Sequence, residues 1–304
     1  MKKRILAAIL GVCLIIGVLS MTGCELLDRL LEEIQNAMEE VEETQPGETT
    51  DSGSSSSVGT LNYSVNSDGT TCTIRGKGTY NSKDLVIPET IGNYTVTAIG
   101  SRAFYWEDSF VSISIPKTVK TIGDNAFNNC TSVKTVSIAN GVEKIEQYAF
   151  RDCEELVSIV IPDSVTELAD NVFFSCGKLE SATISNNVTV IKANLFTSCT
   201  KLSSVKMSDK VTSIEVFAFS DCSSLTEINL PSQLQKIAGS AFLRCKGLKS
   251  VKIPASVTEI GKRAFDDCES LTDIYFGGTK AAWNKFGLTK PTSSTVVHCS
   301  DGNV

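Results

Sequence analysis

Apolar and polar residues alternate along this chain in a unit of 23 residues, which is clearest over Ile253–Tyr275. The same frame starts at Ile115 and at Ile161. A cysteine marks the unit, preceded three residues earlier by a phenylalanine. The cysteines that follow one another at this period are Cys130, Cys153, Cys176, Cys199, Cys222, Cys245 and Cys268. Phe104 extends the phenylalanine series backwards, so we count eight repeats. A strict period of this length predicts a solenoid, because each unit buries its apolar face only against its neighbours.

Each unit contains two strand patterns and one turn pattern. The motif Leu-x-x-Ile-x-Ile-Pro alternates apolar and polar positions and predicts a short strand, for example over Leu271–Phe276. The motif Val-x-x-Ile, as in Val257–Ile260, predicts a second strand. Ala-Phe-x-x-Cys predicts a tight helical turn with its phenylalanine facing inward. The fold we expect is therefore a mainly β solenoid with short helical turns, its repeats spanning residues 86–275.

Both ends of the repeat region carry patterns typical of caps. Alternation over Leu61–Ile74 around a turn at 66–69 predicts a β-hairpin that covers the first open edge. The first repeat is five residues longer than the others, and we expect a loop or widened turn around Gly92–Tyr94. After the last repeat, Ala281–Phe286 predicts a short helix and Ser294–Cys299 a final strand. The capped solenoid is therefore expected over residues 61–304.

The first 23 residues have the pattern of an export signal, with a basic start and an uncharged apolar run. The run is long enough that a transmembrane anchor is the alternative. The segment Met21–Cys24 resembles a bacterial lipobox, which implies removal of residues 1–23 and attachment of lipid to Cys24. The resemblance favours a lipoprotein signal peptide over an anchor.

An acidic segment follows, over residues 24–43, with leucines at three- and four-residue spacing. We interpret it as a helical tether. A membrane-surface helix usually carries basic residues on its polar face, and fewer than three heptads are weak support for a coiled coil. Residues 44–60 have the composition of a flexible Gly/Ser/Thr linker.

The net charge of −7 is unevenly distributed. Residues 24–60 contain ten acidic residues and one basic residue, whereas residues 61–304 contain 24 basic and 25 acidic residues. Capture of nucleic acid needs a concentrated basic face. The repeat body is close to neutral, so we expect no nucleic-acid partner.

The cysteine ladder allows three interpretations. Zinc sites need ligands that converge on one point, and a 23-residue spacing places the thiols in a line instead. Disulfides suit an exported protein, but an odd number of in-register thiols cannot all pair. We therefore expect buried thiols that act as small apolar residues and weak donors to the backbone. Cys72 and Cys299 lie in opposite caps and are not expected to pair.

The sequence shows no pattern of a catalytic site. Its single histidine, His298, lies in the C-terminal cap, and we interpret it as a cap residue. The motifs Gly-x-Ser-x-Gly and His-Glu-x-x-His and a phosphate-binding glycine loop do not occur. Adjacent acids such as Glu154 and Glu155 are typical of solvated turns. We expect a protein that is not an enzyme and that uses no cofactor or metal.

The outward residues of the strands then become the candidate functional residues. In the N-terminal half they are mostly serine and threonine, whereas the C-terminal half varies in charge and includes an aromatic ring. We predict a partner-binding site in the C-terminal half, formed by Lys206, Glu227, Asn229, Lys252, Asp273 and Tyr275. Tyrosine suits such a site since it combines a large contact area with a polar tip.

The repeat pattern Ile-Pro-x-x-Val-x-x-Ile-Gly-x-x-Ala-Phe-x-x-Cys-x-x-Leu-x-x-Ile resembles the BspA-like class of leucine-rich repeats. The resemblance covers about Leu61–Val304. It implies an exported bacterial lipoprotein, anchored to the cell membrane, exposed at the surface and acting in adhesion. The partner implied is a protein on a host or neighbouring cell. A glycan-binding module and a structural spacer without a specific ligand are the alternatives.

Overall fold

The computed structural model describes residues 59–304, which form a β-solenoid with the predicted 23-residue period. Gly59 and Thr60, at the end of the predicted linker, lie against the N-terminal cap, where the Thr60 amide donates to the Thr79 hydroxyl at 3.0 Å. The predicted signal peptide 1–23, the predicted tether 24–43, and residues 44–58 of the linker lie outside the described residues.

Short parallel strands make up almost all of the regular structure. The strands are β1 (Asn62–Val65), β2 (Thr71–Gly76), β3 (Asp84–Val86), β4 (Thr90–Ile91), β5 (Tyr94–Ile99), β6 (Ser112–Ile115), β7 (Thr121–Ile122), β8 (Thr135–Ile138), β9 (Lys144–Ile145), β10 (Ser158–Val160), β11 (Glu167–Leu168), β12 (Ser181–Thr183), β13 (Val190–Ile191), β14 (Ser204–Lys206), β15 (Ser213–Ile214), β16 (Lys236–Ile237), β17 (Ser250–Ile253), β18 (Glu259–Ile260), β19 (Asp273–Phe276), β20 (Val296–Cys299) and β21 (Gly302–Asn303). Within residues 59–304 the one α-helix, α1, spans Lys280–Lys285.

Two stacks of strands run along the solenoid, and each is interrupted once. The front sheet contains β3, β6, β8, β10, β12 and β14 and resumes with β17, β19, β20 and β21. The side sheet contains β1, β2, β5, β7, β9 and β11 and resumes with β13, β15, β16 and β18. Between repeats, residue i pairs with residue i + 23, as Ser181 does with Ser204 and Ile214 with Ile237. The two predicted strands per repeat are thus confirmed.

The third side of each turn of the solenoid carries the Ala-Phe-x-x-Cys motif. It is a tight turn, as predicted, but two left-handed residues in each repeat, such as Asn125 and Asn129, prevent it from being a helix. Alternate amides reach the next repeat, for example Phe127 N to Ala149 O at 2.8 Å. The phenylalanine side chains are buried and stacked, with ring centroids 5.1 to 5.8 Å apart between neighbours. Each ring fills the space between its own turn and the next.

The N-terminal cap is the predicted hairpin, in which β1 and β2 pair in antiparallel orientation. The extra residues of the first repeat form a second small hairpin of β4 and β5 with a turn at Gly92, where the φ angle is +56°. The C-terminal cap contains α1, whose Trp283 is buried, and the final strands β20 and β21. Within residues 59–304, no helix has the length and apolar character needed to cross a membrane.

Candidate functional site

The front sheet exposes two rows of side chains, which we call the front surface. Side chains alternate between the two faces of a strand, so every second residue points outward. One outward row consists of Val86, Ser114, Ser137, Val160, Thr183, Lys206, Asn229, Lys252, Tyr275 and His298. The other consists of Asp84, Ser112, Thr135, Ser158, Ser181, Ser204, Glu227, Ser250, Asp273 and Val296. The solenoid thus holds side chains of the same row at the strand spacing of about 4.8 Å.

The six predicted site residues all lie on the front surface, in four adjacent turns of the solenoid. Lys252 pairs in register with Tyr275, and an isolated bridge pairs Asn229 with Lys252. Lys206 ends β14 and is exposed, as is Glu227 on the following turn. Asp273 is half-buried. No regular ladder links Lys206 to Asn229, because the front sheet is interrupted between them.

His298 belongs to this surface as well, although its sequence position suggested an isolated cap residue. It pairs in register with Tyr275, and the two rings stack with centroids 4.6 Å apart and planes 12° from parallel. Its Nε2 atom lies 2.7 Å from Asp273 Oδ1, and its Nδ1 atom lies 3.2 Å from Asn303 Oδ1. The 23-residue period already contained this signal, since Tyr275 and His298 are one period apart.

Hydrogen bonds stabilise the negative charge of Asp273. The bond from His298 lowers the pKa of the Asp273 carboxyl below its ordinary value, and the Thr272 hydroxyl at 2.8 Å acts in the same direction. Asp273 therefore stays ionised and holds the imidazole ring against Tyr275. The tyrosine remains 43 % exposed, so part of its surface is open to the solvent.

The cysteine ladder is buried, as the sequence predicts. Each ladder thiol donates to the carbonyl oxygen of the phenylalanine one repeat earlier, as Cys199 Sγ does to Phe173 O at 3.1 Å. Burial raises the pKa of every ladder thiol, to about 12 for Cys268 and well above the ordinary value for Cys176. Reactive cysteines need a lowered pKa and exposure. These thiols are therefore packing groups.

Two cavities lie at the ends of the solenoid, and neither is lined by any of the six residues. One, of about 490 Å³, lies between residues 77–83 and Asp108–Val111. The other, of about 210 Å³, lies between Arg263 and the C-terminal cap beside Trp283. Within residues 59–304, no group of three or more His, Cys, Asp or Glu side chains is placed to hold a metal ion.

Comparison with known families identifies the repeat. The family profile described as BspA type leucine rich repeat region matches residues 97–222 and 189–287, in six copies. No curated protein matches the chain.

Solved structures of several bacterial leucine-rich-repeat proteins are similar to this chain. A leucine rich repeat protein of T. pallidum is 25% identical with a TM-score of 0.52, and the match covers 75% of this chain and 93% of that one. A leucine rich cell surface protein of Faecalibacterium prausnitzii is 25% identical with a TM-score of 0.49, covering 80% of this chain and 99% of that one. A leucine-rich repeat protein of Bacteroides ovatus is 23% identical with a TM-score of 0.43, covering 71% of this chain and 70% of that one.

Proposed function

This chain belongs to the BspA-type leucine-rich-repeat family, and from that premise we propose that it is a non-enzymatic cell-surface lipoprotein that binds a protein partner. The partner is expected on a host or neighbouring cell, where binding would produce adhesion. The observation that carries the proposal is the Tyr275 group of the front surface. This group consists of Tyr275, His298 and Asp273, in which the exposed tyrosine stacks on the histidine and the ionised aspartate holds the histidine in place.

The group has the properties of an anchor for a protein partner. Preorganised side chains lose little conformational entropy on binding, which favours affinity. Tyr275 is held by His298 on one side and has Lys252 as its in-register neighbour on the other. Solenoids commonly bind along such a continuous surface, because side chains there are solvent-facing on a rigid ladder.

A glycan is the less favoured ligand for this group. Stacking of a sugar needs an open aromatic face, and one face of the Tyr275 ring is covered by His298 at 4.6 Å. Tyr275 as a whole is 43 % exposed, so less than half of its surface is open to a ligand. A structural spacer without a ligand is the remaining alternative, and the binding experiment separates it from the other two.

The test is binding of the full-length protein, purified in detergent, to arrays of extracellular matrix proteins and of glycans. We expect a protein ligand, and we expect the double variant Tyr275→Ala, Lys252→Glu to bind it at least about tenfold more weakly, the effect of one lost hot-spot contact. The fold should be unchanged, since both side chains are exposed.

The matched control changes half-buried residues of the side sheet, with Thr121→Ala and Lys144→Glu. This variant should bind like the wild type. Loss of binding in the control with full binding by the front-surface variant would place the site on the side sheet. Binding to glycans alone would favour the second candidate, and binding to nothing would favour the spacer.

Membrane attachment is a separate part of the proposal and rests on the sequence of residues 1–24. We expect wild-type cells to incorporate a labelled fatty acid into the protein, and the Cys24→Ala variant to lack the label and to appear in the culture medium. The control is Cys72→Ala, a buried thiol of the solenoid, which should keep the label. A label that persists in Cys24→Ala would contradict lipid attachment at this residue.

A further inference from the structure

The column of stacked phenylalanines ends at a cavity beneath the C-terminal cap. Phe265 is the last ring of the column and stacks on Phe242, with centroids 5.4 Å apart and planes 3° from parallel. The cavity, of about 210 Å³, lies between the last repeat and the cap. Its apolar lining consists of Ala264, Phe265, Ile274, Trp283, Leu288 and Pro291. Phe265 therefore has another ring on one side and this cavity on the other.

The sequence explains why a cavity forms here. One period after the last Ala-Phe-x-x-Cys motif, the chain reads Gly-Leu-x-x-Pro over residues 287–291. Leu288 therefore stands where the next phenylalanine of the column would be, and Gly287 stands where the alanine would be. Both line the cavity, and both side chains are smaller than those they replace. The space that a further aromatic ring would take is only partly filled.

The last repeat also leaves two backbone donors without an acceptor. In every earlier repeat, the amide of the phenylalanine and the amide two residues later donate to the next repeat, as Phe242 N does to Ala264 O at 2.8 Å. The corresponding amides of Phe265 and Asp267 have no acceptor within residues 59–304. In the register of the repeat they point towards the cap, where the cavity lies. Neighbouring backbone N–H groups that lack partners favour an anion.

The charged side chains at the cavity also favour an anion. Lys262, Arg263 and Asp266 line it, so two basic groups face one acidic group. Arg263 Nε lies 3.3 Å from Asp266 Oδ2, and these two charges offset each other. Lys262 is exposed and makes no ion pair within the described residues. Its charge is therefore available to a ligand.

From these observations we infer that the cavity binds a small molecule with one aromatic ring and a short carboxylate arm. The ring stacks on Phe265, in the place of the next ring of the column. The carboxylate accepts hydrogen bonds from the amides of Phe265 and Asp267, and Lys262 compensates its charge. This site is separate from the front surface, and the inference does not depend on the proposed function.

The volume and lining of the cavity define this class of ligand. An apolar cavity of about 150 Å³ accepts benzene, so 210 Å³ holds one ring with a short substituent. Aromatic rings stack with centroids about 4.5–7 Å apart, and the column itself uses 5.1 to 5.8 Å. A sugar would place hydroxyl groups against apolar walls, where they lose hydrogen bonds to water. An aromatic acid matches the apolar walls and the unpaired amides together.

Trp283 provides a direct test, because it lines the cavity and Trp106 is the only other tryptophan of the chain. The full-length Trp106→Phe protein, purified in detergent, is titrated with 3-phenylpropionate. We expect a saturable change in Trp283 fluorescence with a dissociation constant of about 1 mM or below. The uncharged 3-phenylpropionamide should bind at least about tenfold more weakly, and propionate, which has no ring, should not bind.

Two variants separate the ring contact from the charge. Leu288→Phe should place a fixed ring beside Phe265 and weaken binding of 3-phenylpropionate by about tenfold or more. Lys262→Gln should weaken it by a few fold and reduce its salt dependence. The control Lys192→Gln removes an exposed lysine on an earlier turn of the solenoid and should change nothing.

Hydrogen exchange locates the carboxylate. Addition of 3-phenylpropionate should slow exchange of the amides of Phe265 and Asp267, and it should leave the amide of Phe242 unchanged because that amide is already bonded. This measurement uses the wild-type protein and therefore decides the question even where Leu288→Phe does not fold.

Four results would overturn the inference. They are the absence of saturable binding, equal binding of 3-phenylpropionamide, unchanged exchange at Phe265, and wild-type affinity in a folded Leu288→Phe variant. The front-surface variant Tyr275→Ala, Lys252→Glu should bind 3-phenylpropionate like the wild type. The outcome at the cavity thus leaves the proposed function to its own test.

Discussion

At the scale of single residues, the turns between strands depend on left-handed backbone conformations. Sixteen non-glycine residues in 59–304 have a positive φ, two in each repeat. Seven of them are asparagine or aspartate, which tolerate this region best. Trp106, Tyr148 and Phe217 are bulky residues with a positive φ, and Phe217 has a φ of 56° and is 39 % exposed. More than a third of the surface of Phe217 stays in solvent, so burial offsets only part of the strain.

We expect Phe217→Asn to stabilise the protein by about 0.5–1 kcal/mol, since asparagine adopts the left-handed region at lower energy. Asn194 occupies the same position one repeat earlier, with a φ of 55°, and provides the matched control. Asn194→Phe should destabilise by a similar amount. Urea denaturation of both variants measures the two changes. An equal loss of stability in both would show that Phe217 contributes packing that exceeds its strain.

Single residues also show which features of the structure the pattern of apolar and polar positions can predict. Burial of the ladder cysteines was predictable, because their spacing places them on the inward side of every repeat. The left-handed residues were not, since hydropathy carries no information on φ. His298 was missed although it lies 23 residues after Tyr275, because the repeat motif ends before it and only the period continues.

At the scale of elements, the first strand of the front sheet has an edge that could pair with another chain. In β3 the amide and carbonyl groups of Asp84 and Val86 point away from β6, towards this unpaired edge. Tyr80 occupies the place of a neighbouring strand. Its hydroxyl donates to Asp84 O at 2.8 Å and accepts from Val86 N at 3.1 Å. The Ser82 hydroxyl accepts from Asp84 N at 3.1 Å.

Removal of the Tyr80 hydroxyl should therefore open this edge. We expect Tyr80→Phe to keep the fold, because the ring still contacts Phe110 with centroids 6.1 Å apart, but to self-associate at high concentration. Sedimentation velocity measures the association. Tyr94→Phe is the control, since its hydroxyl makes no hydrogen bond in the described residues. A monomeric Tyr80→Phe at all concentrations would show that this hydroxyl does not protect the edge.

The elements were predictable wherever the repeat is regular. The two strand motifs predicted the front and side sheets, and alternation around a turn predicted the first hairpin. The interruption of the front sheet was not predicted. At the inward position that ends each front strand, Met207 and Leu230 border the interruption, and both are apolar like the isoleucine of most other repeats. The difference lies in side-chain branching, which a pattern of apolar and polar positions does not record. The six predicted site residues were placed on one surface by the same regular alternation, while the interruption of the front sheet among them came only from the structure.

At the scale of the solenoid formed by residues 59–304, the turn side is the most continuous part of the structure. Both sheets are interrupted, at different turns. On the turn side, stacked phenylalanines continue from Phe104 to Phe265 without a gap. The cysteine thiols bond to phenylalanine carbonyls along the same line, from Cys130 to Cys268. Because seven consecutive repeats each contribute one thiol to this column, ionisation of these thiols affects the stability of most of the solenoid.

This column predicts that the protein loses stability at alkaline pH. The folded state raises the pKa of the seven thiols above their ordinary value of 9.0, through burial, so it keeps protons that the unfolded chain releases. The stabilisation is complete below about pH 9 and decreases as the pH rises towards the folded values. Each thiol contributes about 1.4 kcal/mol per pH unit to the slope of the free energy of unfolding against pH.

Urea denaturation under reducing conditions between about pH 8 and 11 should show the decline. Replacement of Cys176 and Cys222 by alanine should lower the stability at neutral pH but flatten the slope by about 3 kcal/mol per pH unit. A slope that is the same with and without these two thiols would mean that they already ionise in the folded state.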